Sequence, residues 1–245
     1  MSLLEIENLT VEFGGLKALS NVNLEVNEGD FLGLIGPNGA GKTTLFNAIT
    51  GVVKPSDGDI NFEGKNIKGM RPDKIALRGI SRTFQNIRLF PKMKASENVE
   101  IGIIRVPQYS IHDAILGLPK QRNKDKENYE QALRHLEQVG ILEYKDAYAG
   151  ELPYGIQRRL EIARAIATNP KILFLDEPTL GLDVVARKGL WNIINRIKQN
   201  STIILTTHYL DEVVHLADKV AIMSKGKIVA NDTVKNIIKN SFQSL

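Results

Sequence analysis

The sequence predicts an α/β fold: a mainly parallel sheet with helices, an N-terminal antiparallel β-subdomain and a helical subdomain set between the two halves of the core. Three observations predict it. The first third carries short strand-like runs separated by glycine turns. The middle, from about 88 to 167, has apolar residues at helical spacing. The last third alternates strand-like and helix-like runs, the pattern of parallel strands joined by crossover helices.

Taken in order, Leu3–Phe13 and Ala18–Val26 read as strands around the turn Gly14-Gly15. Asn27-Glu28-Gly29-Asp30 is a second turn, and Asp30–Ile35 is an apolar run that reads as a buried strand. Gly36-Pro37-Asn38-Gly39-Ala40-Gly41-Lys42-Thr43-Thr44 follows, and Leu45–Ile49 reads as a helix. The nine residues fit Gly-x-x-x-x-Gly-Lys-[Ser/Thr] without a gap, in the strand–loop–helix setting that the pattern requires. A phosphate chain carries several negative charges. Backbone N–H groups and the dipole at a helix N-terminus favour it. Gly36, Gly39 and Gly41 lack a Cβ and let the backbone approach. Lys42 is placed to reach the β- and γ-phosphates, and the Thr43 hydroxyl to ligate Mg²⁺. A glycine turn without a ligand is the alternative, and the full match in context weighs against it. The core is therefore expected to be a P-loop NTPase core that binds the phosphate chain of a nucleotide with Mg²⁺.

Further along, Asp59–Phe62 and Gly79–Phe84 read as short strands and Pro72–Leu77 as a helix. Ser96–Ile104, Lys124–Gly140 and Tyr154–Ala167 read as helices, while the stretch between Pro107 and Pro119 has no clear pattern. Lys171–Asp176 and Thr202–Thr206 are buried strands, Val185–Lys198 and Tyr209–Leu216 helices. Lys219–Met223 and Lys227–Ala230 form a hairpin, and Thr233–Lys239 a final helix. The expected division is one domain over 1–245. In it 1–87 and 168–245 form the core with its β-subdomain, and 88–167 forms the helical subdomain.

Composition narrows the function classes. The 245 residues are 42% apolar, enough for a substantial core. A formal charge of +4 permits an acidic ligand such as a nucleotide, but no basic, aromatic-interleaved stretch points to nucleic acid. Without cysteine there is no thiol catalysis and no Cys-ligated metal. No secretory signal opens the chain, and no apolar run approaches the ~20 residues of a membrane span. The chain is expected to be soluble by itself, with any membrane role supplied through a partner.

Ile172-Leu173-Phe174-Leu175-Asp176-Glu177-Pro178 is the second strong motif. It places two acids at the C-terminal edge of a buried strand, where open parallel sheets bind ligands. Asp176 there is placed to hold Mg²⁺, directly or through water, and Glu177 to orient or deprotonate an attacking water. A solvated Asp-Glu turn is the alternative reading. Three residues are weaker candidates on chemistry alone. Gln85, after a strand, can reach Mg²⁺ and water. His208, after Thr202–Thr206, can contact the γ-phosphate. Phe13, at a strand end, can stack on adenine.

The order of these pieces resembles the ATP-binding subunit of ATP-binding cassette transporters. It runs through the phosphate loop, Gln85, Leu152–Gln157 before Arg158-Arg159-Leu160-Glu161-Ile162-Ala163-Arg164, Ile172–Pro178, Gly181-Leu182-Asp183 and His208. The resemblance implies that Gln85 is the Q-loop glutamine, His208 the switch histidine and Phe13 the adenine-stacking aromatic. It also puts Pro153, Tyr154, Gly155 and Asp183 against nucleotide. From residue 1 to about 168 the chain looks like subunits that energise branched-chain amino acid uptake, through Gly79–Phe90, Glu97-Asn98-Val99 and Tyr154-Gly155. Thr206-Thr207-His208-Tyr209-Leu210-Asp211-Glu212 looks more like drug- or lipid-export cassettes, so an export-type subunit is the alternative. The usual signature Leu-Ser-Gly-Gly-Gln stands here as Leu152-Pro153-Tyr154-Gly155-Ile156. Pro153 brings neither a hydroxyl nor an N–H, and one lost hydrogen bond to a charged group costs ~1.5–3 kcal/mol.

The resemblance implies a mechanism in which two subunits close head to tail over two ATP molecules. The weak signature favours a heterodimer with a sister subunit over a homodimer. Transmembrane permease subunits are expected to dock on about 86–105, which places the chain at the cytoplasmic face of a membrane. A non-transport cassette ATPase would need a coiled-coil insertion or a second cassette. A nucleotide-gated module with weak hydrolysis is disfavoured by Asp176, Glu177 and His208. A small-molecule kinase leaves 152–164 and 172–178 without explanation.

Overall fold

The computed structural model describes residues 2–104 and 119–243. The patternless stretch between Pro107 and Pro119 lies outside the described residues, apart from Pro119. Contacts divide the chain into two units: Met1–Arg82, Lys171–Leu180 and Ile194–Leu245 in the first, Thr83–Pro170 and Gly181–Ile193 in the second.

The first unit holds two sheets. One is antiparallel, ordered β2-β1-β4-β5, from β1 (Ser2–Phe13), β2 (Leu16–Asn27), β4 (Asp57–Phe62) and β5 (Lys65–Asn66). The other is ordered β10-β9-β3-β8-β7-β6. Its parallel strands are β3 (Phe31–Ile35), β6 (Ile80–Arg82), β7 (Ile172–Asp176), β8 (Thr202–Thr207) and β9 (Lys219–Ser224), with β10 (Lys227–Thr233) as an antiparallel edge. Every residue of β7 and β8 is buried, as expected for central parallel strands covered on both faces. In β10 exposed and half-buried residues alternate, as suits an edge. Helix α1 (Lys42–Ile49) packs Phe46 edge-on against Phe174 of β7, ring centroids 4.8 Å apart. Both rings are fully buried, and each such burial stabilises by about 1.5–3 kcal/mol. Helices α2 (Pro72–Leu77), α7 (Leu210–Leu216) and α8 (Val234–Gln243) complete this unit.

The second unit is helical: α3 (Ala95–Ile103), α4 (Pro119–Gln138), α5 (Tyr154–Ala167) and most of α6 (Val184–Ile197). The α3 N-terminus is closed by the Lys94 N–H, which donates to Glu97 Oε2 at 2.7 Å. Asn98, fully buried, accepts from the Phe90 N–H and donates to the carbonyls of Phe90 and Lys94, holding the preceding loop on the helix.

The antiparallel sheet, the parallel sheet and the helices agree with the expected fold class. Local differences have local causes. The strand expected over Gly79–Phe84 is only Ile80–Arg82, because the carbonyls of Phe84 and Gln85 accept from Arg158. The helix expected from Lys124 begins at Pro119. β5 and the single-turn helices Leu142–Tyr144, Ala149–Glu151 and Lys198–Asn200 are too short to leave a periodic signal.

Candidate active site

In the first unit the phosphate loop joins β3 to α1. Gly36 has no room for a side chain, since a Cβ would stand 2.3 Å from the Met223 carbonyl oxygen. Gly39 has φ +80°, the left-handed region that favours glycine, and nothing lies within 4 Å of where its Cβ would be. The Gly226 N–H, in the β9–β10 turn, donates to the Ala40 carbonyl at 2.9 Å and fixes the loop from behind. Gly41 and Lys42 open α1, so the first N–H groups of the helix have no partner within it. Such donors suit a phosphate chain.

Lys42 is 6% exposed, and its Nζ donates to the carbonyls of Gly36 at 2.6 Å and Pro37 at 3.2 Å. Burial pushes its ammonium below the usual lysine range, and the charges of Glu177 and Asp176 pull it back up. A cation held with little water gains more from an arriving anion than a hydrated one. Thr43 is exposed beside it.

The end of β7 supplies the acids. Asp176 is 1% exposed; its Oδ2 accepts from Arg82 Nη2 at 2.6 Å and its Oδ1 from the Thr206 hydroxyl at 2.8 Å. The Glu177 N–H donates to Thr206 O and Oγ1, each at 3.1 Å. Glu177 itself sits at φ +46°, a conformation uncommon outside glycine, which turns its side chain off the line of the strand. His208 Nδ1 lies 3.7 Å from Glu177 Oε1, and the His208 ring stacks on Tyr209. The Thr179 hydroxyl donates to buried Glu212, tying the turn after Glu177 to α7. Phe13 ends β1 half exposed, its ring open to a flat partner.

The second unit brings together the other predicted residues. Pro153, Tyr154, Gly155 and Asp183 line one cavity of about 320 Å³ at the start of α5. The Asp183 carboxylate accepts the Ala186 N–H at 2.8 Å and so caps α6. The Tyr154 hydroxyl lies 3.0 Å from Arg158 Nη2, which pulls the ring back along α5. Gln85 is exposed, its carbonyl held by Arg158.

Sequence reasoning missed Arg82 and Thr206. Arg82 also donates to Asn47 Oδ1 at 2.7 Å, so it ties β6, β7 and α1 together. An arginine at the end of a short strand gave no signal without its partners. Arg82→Ala strands a buried carboxylate and is expected to cost about 3–5 kcal/mol of stability, readable by denaturant unfolding. A change within 0.5 kcal/mol would show the pair to be idle.

The donors fit the groups that this chemistry needs. The loop offers N–H groups and a desolvated ammonium for phosphate. In the first unit Thr43 and Asp176 offer oxygen donors, the choice of Mg²⁺. Among the described residues no three acidic or histidine side chains cluster to hold an ion.

The ABC transporter family profile matches residues 19–180. The chain belongs to the ABC transporter family. It is 40% identical over 240 residues to the high-affinity branched-chain amino acid transport ATP-binding protein BraF of Pseudomonas aeruginosa, covering 97% of this chain and 94% of that one. The fold matches a nucleotide-free ATP-binding cassette from an ABC transporter with TM-score 0.85 and 36% identity, covering 99% and 96%. It also matches a dimeric cassette in a post-hydrolysis state bound to ADP and phosphate, TM-score 0.79 and 25% identity, covering 94% and 98%. This cassette is accordingly an ATP-binding subunit and an ATPase coupled to transport. Among the described residues no helix is long and apolar enough to cross a membrane.

Proposed function

We propose that this cassette powers uptake of a branched-chain or other hydrophobic amino acid by hydrolysing MgATP in a two-subunit sandwich. The observation that carries the chemistry is the buried Lys42 ammonium in the glycine loop, under the charges of Asp176 and Glu177. The name of the relative BraF, matched over 97% of this chain and so through its C-terminal third, supports the cargo over an export role.

The residues divide the work. Phe13 stacks on adenine. The backbone of Gly36, Pro37, Asn38, Gly39, Ala40, Gly41 and Thr44 wraps the phosphates, and Lys42 offsets charge as it develops on them. Thr43, Gln85 and Asp176 would hold Mg²⁺, which would polarise the phosphate oxygens. Glu177 orients the attacking water and takes its proton, and His208 steadies Glu177 and the γ-phosphate. Pro153, Tyr154, Gly155 and Asp183 face the nucleotide of a second subunit. Phosphate loss then opens the dimer. The exposed Phe90, Ile101 and Ile104 fall in the 86–105 segment and give a permease an apolar foothold at the cytoplasmic membrane face.

The second subunit is a sister chain with a better signature. Pro153 already ends the loop with its carbonyl accepting the N–H groups of Ile156 and Gln157 at 2.9 Å, but it donates nothing itself. Pro153→Ser restores a hydroxyl and an N–H. It is expected to raise ATP turnover of the chain alone at high concentration by about tenfold, the worth of one charged hydrogen bond. Brisk turnover of the unaltered chain alone would instead favour a homodimer. The cargo is tested with the permease co-purified: leucine, isoleucine or valine should stimulate ATP hydrolysis and accumulate in vesicles. Stimulation by exported lipids or drugs alone would overturn the uptake reading.

A further inference from the structure

Arg158 and Glu161 form a fully buried ion pair on successive turns of α5, 2.9 Å apart. Neither was needed to explain nucleotide binding. Their remaining bonds point at one place. Arg158 Nη1 donates to Phe84 O at 2.7 Å, and Nη2 to Gln85 O at 2.8 Å. Glu161 Oε1 accepts the N–H groups of Phe84 and Arg88, each at 3.3 Å. Two side chains thus take donors and acceptors from the same short loop, just after β6 has left its sheet.

A buried ion pair is a poor source of stability. Replacing one with apolar residues of similar volume is often neutral or stabilising. The planar guanidinium fork does offer direction: two parallel N–H bonds on consecutive carbonyls fix a peptide in orientation as well as place. A ~1 Å misplacement of a reacting group costs on the order of 10²-fold in rate. The loop held in this way is the one that carries Gln85.

We infer that Arg158 and Glu161 are positioning residues for hydrolysis: they set where Gln85 stands and act through its backbone. The inference rests on the role given to Gln85 under the proposed function. Arg158 is itself steadied by the Tyr154 hydroxyl at 3.0 Å, so the clamp reaches the first residue of α5.

The test replaces both partners, Arg158→Met with Glu161→Leu, because removing one alone would strand the other's charge in the interior. The full-length double variant should unfold cooperatively near the parent's temperature. It should bind ATP within about threefold of the parent, since Lys42 and its loop are untouched. Its hydrolysis should fall roughly 10- to 100-fold, a loss in kcat rather than KM. Amide exchange at Phe84 and Arg88 should accelerate, a readout independent of turnover. Adding Gln85→Ala should then cost nothing more than Gln85→Ala alone, because residues acting as a unit are not additive. Multiplying losses, unchanged exchange at Phe84 and Arg88, or unchanged kcat in the folded double variant would each overturn the inference while leaving the proposed function standing. If Gln85→Ala alone left hydrolysis intact, the role of Gln85 would fall and the inference with it.

Discussion

Glu177→Gln is expected to lower ATP hydrolysis by about 10²–10⁴-fold, the range for losing a positioned general base. The substitution keeps the side-chain length and the amide can still meet His208. The backbone bonds that hold this residue, from its N–H to Thr206 O and Oγ1, do not involve the carboxylate. The fold and the unusual φ of +46° should therefore survive. Lys42 and the glycine loop also stay intact, so ATP affinity should hold. A cassette that binds ATP but cannot cut it should accumulate in the closed state. Size-exclusion chromatography with ATP, together with the partner subunit, should show a dimer that the parent forms only briefly. Two results would count against this: turnover within a few-fold of the parent, or full loss of turnover with no ATP-dependent dimer. The first would move the base elsewhere, and the second would reduce Glu177 to a structural role.

What could be read from the sequence follows how local each signal is. The phosphate loop is contiguous, and its strand, glycines and helix all act within one turn of chain, so Gly36 to Thr44 could be named residue by residue. Asp176 and Glu177 were legible for the same reason, as four apolar residues of β7 lead directly to them. Arg82 and Thr206 were not, because each takes its meaning from a partner far along the chain: Asp176 lies 94 residues from Arg82 and 30 from Thr206. The clamp on the Gln85 loop was hidden in the same way. Arg158 and Glu161 looked like ordinary polar positions of an amphipathic helix, yet both are fully buried and bonded to residues more than 70 positions earlier. Phe84 looks like a strand residue by composition, and only the guanidinium that its carbonyl accepts from shows why it leaves the ladder that ends at Arg82. Periodicity reports which face is buried, and it is silent on what a buried polar group holds.

Lys42→Ala should remove most nucleotide binding while leaving a folded chain. The ammonium holds two loop carbonyls, Gly36 O and Pro37 O, yet the loop is also fixed from outside by the Gly226 N–H on Ala40 O. Losing a desolvated cation relieves a burial cost, so the apo protein should keep its unfolding midpoint within a few degrees. The bound state is different. Each hydrogen bond to a charged group is worth about 1.5–3 kcal/mol, so the dissociation constant for ATP should rise about 10- to 100-fold or more. Calorimetry reads this directly. Thermal shift reads it by linkage: ATP at a hundred times its dissociation constant adds about 2.7 kcal/mol to the parent, and that gain should shrink to about 0.4–1.4 kcal/mol in the variant at the same concentration. Lys42→Met separates charge from packing, since it keeps an unbranched stem in the loop; it should bind as poorly as the alanine variant. Equal ATP affinity in parent and Lys42→Met would remove the buried ammonium from the mechanism, and with it the physical basis for assigning this loop to phosphate.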